Sequence, residues 1–372
     1  MRNCIADGLA DELLASRFFI FGVVPMRAVV LRNTGGVDVL RLEEAVKPRP
    51  GPRDVLIRVA ACGVCFLDVV TRNGTHKKDV ELPCIPGHEI AGVVEDTGTQ
   101  VKRFKPGERV ATTQRYHICG SCRFCRGGFE PLCPERRFLG EQGMVGGYAD
   151  YVAVEEDNVA LIPEGVTDEQ ASIAACAIGT LLNAVRDVGK VAIGERVLVT
   201  GAGGGLGVHA VQMALLAGAY VIAQTTSPDK APLLSSMGAH EVVVSKRGED
   251  FSRKVRELTS GEGADVLLDN VGTPLFSAMR RSLGVNGRWI LIGQVTGDFV
   301  PFNPAQLFLR NQSMLSVHST TRAQLEDCLA LIARGAIRPV VSAVFPLSEI
   351  QQVHRRLEDG GVPGRLVVRP GA

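Results

Sequence analysis

The chain has 372 residues, 45% of them hydrophobic and 22% charged, with a formal net charge of +1. That length exceeds one ordinary core and suits two domains, and the composition is that of a folded globular protein. A near-neutral balance leaves no basic excess to hold a nucleic-acid backbone or an anionic membrane, so neither is expected as a partner.

Before Met26 the one apolar patch is Phe18 to Val24, too short to cross a bilayer. Asp7, Asp11 and Glu12 lie upstream of it and do not suit a signal peptide. Residues 1–25 are therefore expected to be an extension, either a disordered lead or sequence upstream of a native start at Met26. A strand pattern opens there with Arg27-Ala28-Val29-Val30-Leu31. The expected location is cytoplasmic.

From Met26 to about Val154 short β runs are broken by Gly, Pro and Asp, which predicts a compact β-rich unit. It carries two constellations. Cys65 and Asp68 stand as C-x2-D, Gly87-His88-Glu89 follows a Pro-rich approach, and Cys176 lies where the next unit opens. Cysteine and histidine suit an open zinc site, and a carboxylate bonded to the histidine would hold its tautomer. Spacing alone leaves the alternative of core thiols and an ordinary buried histidine. The second constellation is Cys119, Cys122, Cys125 and Cys133, spaced C-x2-C-x2-C-x7-C with Gly120, Gly127 and Gly128 beside them. Four thiolates at short intervals can enclose one zinc ion completely, which makes the site structural. Such clustering among ten cysteines points to a reducing compartment rather than a disulfide framework.

After about Pro163 strands alternate with helices, the signature of a doubly wound parallel sheet. The strand Val197-Leu198-Val199-Thr200 leads into Gly201-Ala202-Gly203-Gly204-Gly205-Leu206-Gly207, and a helix follows from Val208 to about Ala217. Gly201, Gly204, Gly205 and Gly207 allow backbone to approach a pyrophosphate at a helix N-terminus, so dinucleotide binding is expected. The next strand ends Gln224-Thr225-Thr226-Ser227 with no acid at its tip. Thr225, Thr226, Ser227 and Lys230 could accept a 2′-phosphate, which favours NADP(H) over NAD(H); Asp229 competes from further along the loop. A helix over Ala323–Arg334 and strands near Val340 and Leu366 complete the chain. They are too short to stand alone and are expected to pack back on the first unit.

The run Gly87-His88-Glu89-x2-Gly92-x5-Gly98-x2-Val101 resembles the zinc signature of the medium-chain alcohol dehydrogenase family, and the cysteine lobe and glycine turn follow in that family's order. The resemblance extends from Met26 to Pro370. It implies an α/β chain: a β-rich GroES-like catalytic domain over 26–177 and 320–372, with its zinc lobe at 119–133, plus a Rossmann doubly wound parallel-sheet domain over 178–319. It implies two zinc ions per chain. Cys65, His88 and Cys176 would be catalytic ligands, Glu89 an alternate or nearby ligand, and Asp68 the histidine's partner. Thr180 resembles a cofactor-side threonine and Arg365 a pyrophosphate contact. A small-molecule substrate and a homodimer or homotetramer are also implied.

One departure bears on the chemistry. Alcohol dehydrogenases of the family carry Ser or Thr two residues after the first zinc cysteine, to pass the alcohol proton outward; here that position is Leu67, the relay histidine's position is Val70, and Phe66 replaces a basic residue. Phe66, Leu67 and Phe138 are the apolar pocket candidates. Residues Asp269 to Pro274 and Gly335 to Val341 are similar to acrylyl-CoA reductase members, which deliver hydride to an activated C=C bond. The expected function is zinc-dependent hydride transfer between nicotinamide and an alcohol or carbonyl. The alternative is NADPH-dependent reduction of an activated alkene. A non-catalytic dinucleotide-binding protein is more remote, because such a protein has no need of a complete ligand set.

Overall fold

The computed structural model describes residues 24–75 and 80–371, so residues 1–23 of the expected extension lie outside it. Its first strand, Pro25–Val30, pairs antiparallel with Arg41–Val46. Two larger sheets follow, and each positions part of the site.

The first is a seven-stranded mixed sheet built around Asp54–Val64. This strand pairs with Glu89–Thr97, Tyr151–Glu155 and, from the far end of the chain, Arg365–Arg369. Side chains of a strand alternate between faces. Val55, Ile57 and Val59 enter one core, and Cys62 and Val64 enter the same core although their parity has changed. A register shift between Val59 and Ala61 makes the switch. One extra residue flips every later side chain to the other face, and here it turns Gly63 toward Glu89, where a Cβ would overlap the carboxylate.

The second sheet is six-stranded and parallel, in the order Glu241–Val244, Tyr220–Thr225, Arg196–Val199, Ala264–Asp269, Leu283–Leu291, Ser313–Ser316. Counted along the chain this is 3-2-1-4-5-6, the dinucleotide-binding order. Its strands read as continuous apolar runs because both faces are covered. Val197 and Val199 enter one core, and Leu198 between them enters another with Trp289.

The chain leaves the parallel sheet at Ser316 and passes through His318-Ser319-Thr320 to helix Arg322–Ala333, which packs on the turn Ala174–Gly179. The fully buried Arg115 donates to Ser319 Oγ at 2.8 Å and to the Thr320 carbonyl at 2.7 Å, tying the cysteine-lobe hairpin to this crossover. Strand Val341–Pro346, helix Ile350–Asp359 and strand Arg365–Arg369 then close on the first sheet. Among the described residues no helix is long and apolar enough to cross a membrane.

Leu366 pairs with Val64 across three hundred residues of sequence and is fully buried. Leu366→Ala should cost about 3 kcal/mol in chemical denaturation, the usual penalty for a large core truncation. A loss under about 0.5 kcal/mol, typical of a surface change, would show that the C-terminal strand is not part of the folded core.

Candidate active site

The C-x2-D spacing is helix-start geometry. Cys65 has an extended backbone and caps helix Phe66–Asn73, and Asp68, in the first turn, reaches back so that the Cys65 N–H donates to its Oδ2 at 2.8 Å. An acid in the first turn also faces the positive end of the helix dipole. Glu89 opens strand Glu89–Thr97, which runs antiparallel to Asp54–Val64, and His88 stands just before it. Gly87 precedes them with φ +94, and a Cβ there would lie 2.7 Å from the Tyr148 ring, so only glycine fits. Cys176 sits in a π-helical stretch, Ala174–Gly179, of the kind that recurs at functional sites. That stretch runs across the 177/178 boundary expected between the two domains.

These elements bring one ligand atom each from Cys65, His88, Glu89 and Cys176 within 4.8 Å of one another. His88 Nδ1 lies 3.2 Å from Asp68 Oδ1, and its Nε2 has no hydrogen-bond partner among the described residues. Arg365 Nη2 forms an ion pair with Glu89 Oε1 at 2.8 Å and lies 3.4 Å from Cys65 Sγ and 3.5 Å from Cys176 Sγ. Burial pushes Glu89 up to about 7 against the pull of Arg365. Burial also opposes a charge on His88, but the Asp68 carboxylate and Cys65 together hold the imidazole well above its usual range. Cys65 is held well below the usual thiol range, chiefly by the hydrogen bond from Cys176. Two sulfurs, an imidazole nitrogen without a protein partner and a buried carboxylate are a donor set that fits zinc once the ring gives up its proton.

The second cluster fits it too. The four sulfurs of Cys119, Cys122, Cys125 and Cys133 lie within 4.8 Å of one another, with Sγ–Sγ separations of 3.5, 3.6 and 4.0 Å. A tetrahedron of Zn–S bonds near 2.3 Å has edges of about 3.8 Å. Backbone N–H groups of Cys119, Cys122 and Cys125 point at the sulfurs of Cys133, Cys119 and Cys122. Such donors favour thiolate, and those of Ser121 and Cys122 bring Cys119 down to about 6.

The glycine turn lies between strand Arg196–Val199 and helix Gly207–Leu216. Gly201 has φ +58, and a Cβ at Gly207 would overlap the Gly201 carbonyl, so the helix closes tightly on the turn. Gln224 anchors the turn from the next strand: Oε1 accepts from Gly201 N–H and its carbonyl from Ala202 N–H. Gly204 N–H donates to the Gly201 carbonyl. At Gly205 a Cβ would lie 2.6 Å from Arg365 Nη1, so Arg365 touches both the turn and the Cys65–Cys176 cluster. Thr180 is buried one turn beyond Cys176. Thr225 is buried, its hydroxyl accepting from Ser227 N–H, while Thr226 is exposed and Ser227 half-buried. Lys230 lays its stem against Gly203 and donates from Nζ to the Val362 carbonyl at 3.0 Å.

Three buried residues here carry no local sequence signal. Tyr148 and His354 stand behind Asp68, in a loop and in the C-terminal helix. His209 accepts from Val340 N–H at Nε2 and donates from Nδ1 to the Gly205 carbonyl, linking the turn to the C-terminal segment. Those two bonds require a neutral ring, and burial brings its pKa down to about 4.

Because the metal-free His88 holds its proton above the ordinary histidine range, zinc must displace that proton to bind. Affinity of this cluster should therefore rise with pH through the neutral range and above it, by about tenfold per unit for each proton displaced. Chelator competition across that range measures it. A pH-independent affinity would show that the histidine and thiols are not the ligands.

Comparison with known proteins agrees with this geometry. Residues 51–164 match the alcohol dehydrogenase GroES-like domain and residues 237–368 the zinc-binding dehydrogenase family. The acryloyl-coenzyme A reductase of Sulfurisphaera tokodaii is 31% identical over 93% of this chain and 100% of its own. An alcohol dehydrogenase of Geobacillus stearothermophilus is 32% identical over 89% of this chain and 96% of its own. The crystal structure of AibC superposes with a TM-score of 0.86 at 40% identity, covering 94% of this chain and 97% of that one. With a GroES-like unit, a Rossmann sheet and two zinc-type ligand sets in one chain, the protein belongs to the zinc-containing medium-chain alcohol dehydrogenase family and is an oxidoreductase of that type.

Proposed function

We propose that the chain reduces a carbon–carbon double bond conjugated to a carbonyl, taking hydride from NADPH at the β-carbon and a proton from solvent. The observation that carries this is at the start of helix Phe66–Asn73. Leu67 and Val70 are half-buried and apolar where a hydroxyl and an imidazole would have to stand to lead an alcohol proton away. An acryloyl-coenzyme A relative matching nearly the whole chain supports the same chemistry. The Cys65–His88–Glu89–Cys176 cluster favours a second reading, hydride exchange with an alcohol or carbonyl, since that chemistry needs an electrophile at oxygen. Bound zinc would polarise the substrate oxygen there, and bound nicotinamide would supply the hydride.

The chain's own residues supply position. Cys65, His88 and Cys176 would hold the catalytic metal with Glu89 beside them, and the Asp68 bond to Nδ1 would leave Nε2 of His88 as its ligand atom. Cys119, Cys122, Cys125 and Cys133 would hold a second, structural zinc, which would make two per chain. Gly201, Gly204, Gly205 and Gly207 cradle the pyrophosphate, with Arg365 at its edge and Thr180 on the nicotinamide side. Thr225, Thr226, Ser227 and Lys230 take the 2′-phosphate. The catalytic domain comprises 26–177 and 320–372 and the cofactor domain 178–319. Strand Ser313–Ser316 is an open edge of the parallel sheet, and Phe299, Phe308 and Leu309 are exposed nearby in the chain, which supports a homodimer or homotetramer.

Steady-state rates with enoyl thioesters, enones, aldehydes and alcohols test the reaction class. The conjugated alkenes should turn over fastest, and Leu67→Ser should leave that reaction within about threefold while raising alcohol oxidation by about tenfold, part of what a placed proton relay contributes. A wild-type enzyme fastest on simple alcohols and indifferent to Leu67→Ser would overturn the alkene reading. Fluorescence titration tests the cofactor. NADPH should bind more tightly than NADH, and Thr225→Asp should reverse the order, because a carboxylate repels the 2′-phosphate and accepts from ribose hydroxyls. A wild-type preference for NADH of about tenfold, equivalent to about 1.4 kcal/mol, would exclude NADP(H) as the cofactor.

A further inference from the structure

Behind His88 the hydrogen bonds do not stop at Asp68. Tyr148 Oη lies 3.2 Å from Asp68 Oδ2 and 3.2 Å from His354 Nε2. Tyr148 and His354 are both at 0% exposure, and Asp68 and His88 are nearly so. The four side chains come from a helix start, a strand start, a loop and the C-terminal helix.

The protons in this chain can be assigned from the bonds. An ionised carboxylate only accepts, so the Tyr148 hydroxyl spends its one hydrogen on Asp68 Oδ2 and its oxygen must accept from His354. His354 therefore carries its hydrogen on Nε2. Its Nδ1 is left bare, and that atom has no partner among the described residues. Burial brings His354 down to about 4, so the ring is neutral and one hydrogen is all it has. Asp68 then receives Tyr148 O–H, Cys65 N–H and, on Oδ1, His88 Nδ1–H. With Nδ1–H committed to Asp68, the ring position open to a metal is Nε2, the atom left without a partner.

We infer that Tyr148 and His354 are positioning residues for the catalytic metal: His354 aligns the Tyr148 hydroxyl, which fixes the Asp68 carboxylate, which holds His88 with Nε2 toward the cluster. This rests on the zinc reading of the Cys65–His88–Glu89–Cys176 site. Without Tyr148 O–H, Oδ2 keeps only the Cys65 N–H among these donors, and the carboxylate is free to rotate out of the imidazole plane. The relay also makes helix Ile350–Asp359 part of the metal site. That helix is held on helix Phe66–Asn73 by an ion pair between Arg72 and Glu358. The competing account is packing alone, since the Tyr148 ring lies against Gly87 and edge-on to His354, their centroids 5.9 Å apart. The two accounts differ at the hydroxyl.

The test is zinc release from the zinc-loaded, full-length protein to a chromophoric chelator at fixed pH. The catalytic phase is identified as the one missing in Cys176→Ser, and the cysteine-lobe phase reports an intact fold. Tyr148→Phe keeps the ring and should weaken the catalytic phase about tenfold, the low end for loss of an outer partner of a metal-ligating histidine. In an Asp68→Asn background the same change should add nothing, because both act through one bond. His354→Leu should match Tyr148→Phe, while His354→Gln, whose amide can donate to the Tyr148 oxygen, should restore most of the loss. If Tyr148→Phe fails to fold, the His354→Leu and His354→Gln pair decides alone. Wild-type affinity in Tyr148→Phe and His354→Leu, or an undiminished loss in the Asp68→Asn background, would overturn the inference while leaving the zinc site standing. A wild-type protein with no zinc in the catalytic cluster would overturn the site reading itself, and the relay with it.

Discussion

A carboxylate taken out of water must recover in hydrogen bonds what it loses in hydration, and Asp68 is such a carboxylate. It does so with donors from three separate parts of the fold: the Cys65 N–H of its own helix turn, His88 from a neighbouring strand and Tyr148 from a loop. Each donor carries an element whose place is thereby constrained. The helix start fixes where Cys65 sits, the imidazole fixes the entry to the strand that begins at Glu89, and the loop is held against Gly87. One buried carboxyl side chain thus sets the relative positions of two of the four groups in the Cys65–His88–Glu89–Cys176 cluster.

Arg365 performs the corresponding task between the two sheets. Its guanidinium is buried, paired with Glu89, close to both cluster sulfurs and packed against Gly205 of the glycine turn. A cation between two thiols and a carboxylate offsets the charge that those ligands must carry before a metal arrives. The same side chain reaches the glycine turn, so the Cys65–Cys176 cluster and that turn share one structural element. The strand that carries Arg365 pairs with Asp54–Val64, whose end delivers Cys65. The neutral His209 adds a second tie from the glycine turn to Val340, just upstream of the same C-terminal strands.

The domain crossover is held by a different device. Arg115 is buried without a carboxylate within salt-bridge distance among the described residues and spends its hydrogens on Ser319 and Thr320. Thr320 in turn donates to the Ala175 carbonyl, one residue from Cys176. Contacts therefore run from the hairpin beside the cysteine lobe to the turn that presents Cys176.

Much of this was legible in the amino-acid order because it depends on short-range geometry. The Cys65–Asp68 spacing, four cysteines within fifteen positions and a glycine run between a strand and a helix were each visible as motifs, since each needs only local backbone; that the Cys65–Asp68 spacing is a helix start became clear only in the structure. The alternation of strands and helices likewise determined the parallel sheet. Leu67 was visible as a departure for the same reason, being one position within a short motif. Tyr148, His354 and His209 were not legible, and neither was the pairing of Arg365 with Glu89. Their partners lie tens to hundreds of residues away, and a lone tyrosine or histidine looks alike whether it packs, bonds or solvates. Only the closing of the C-terminal strands and helix on the first sheet brings them to Asp68 and to the glycine turn, because burial there favours polar side chains that pair with one another.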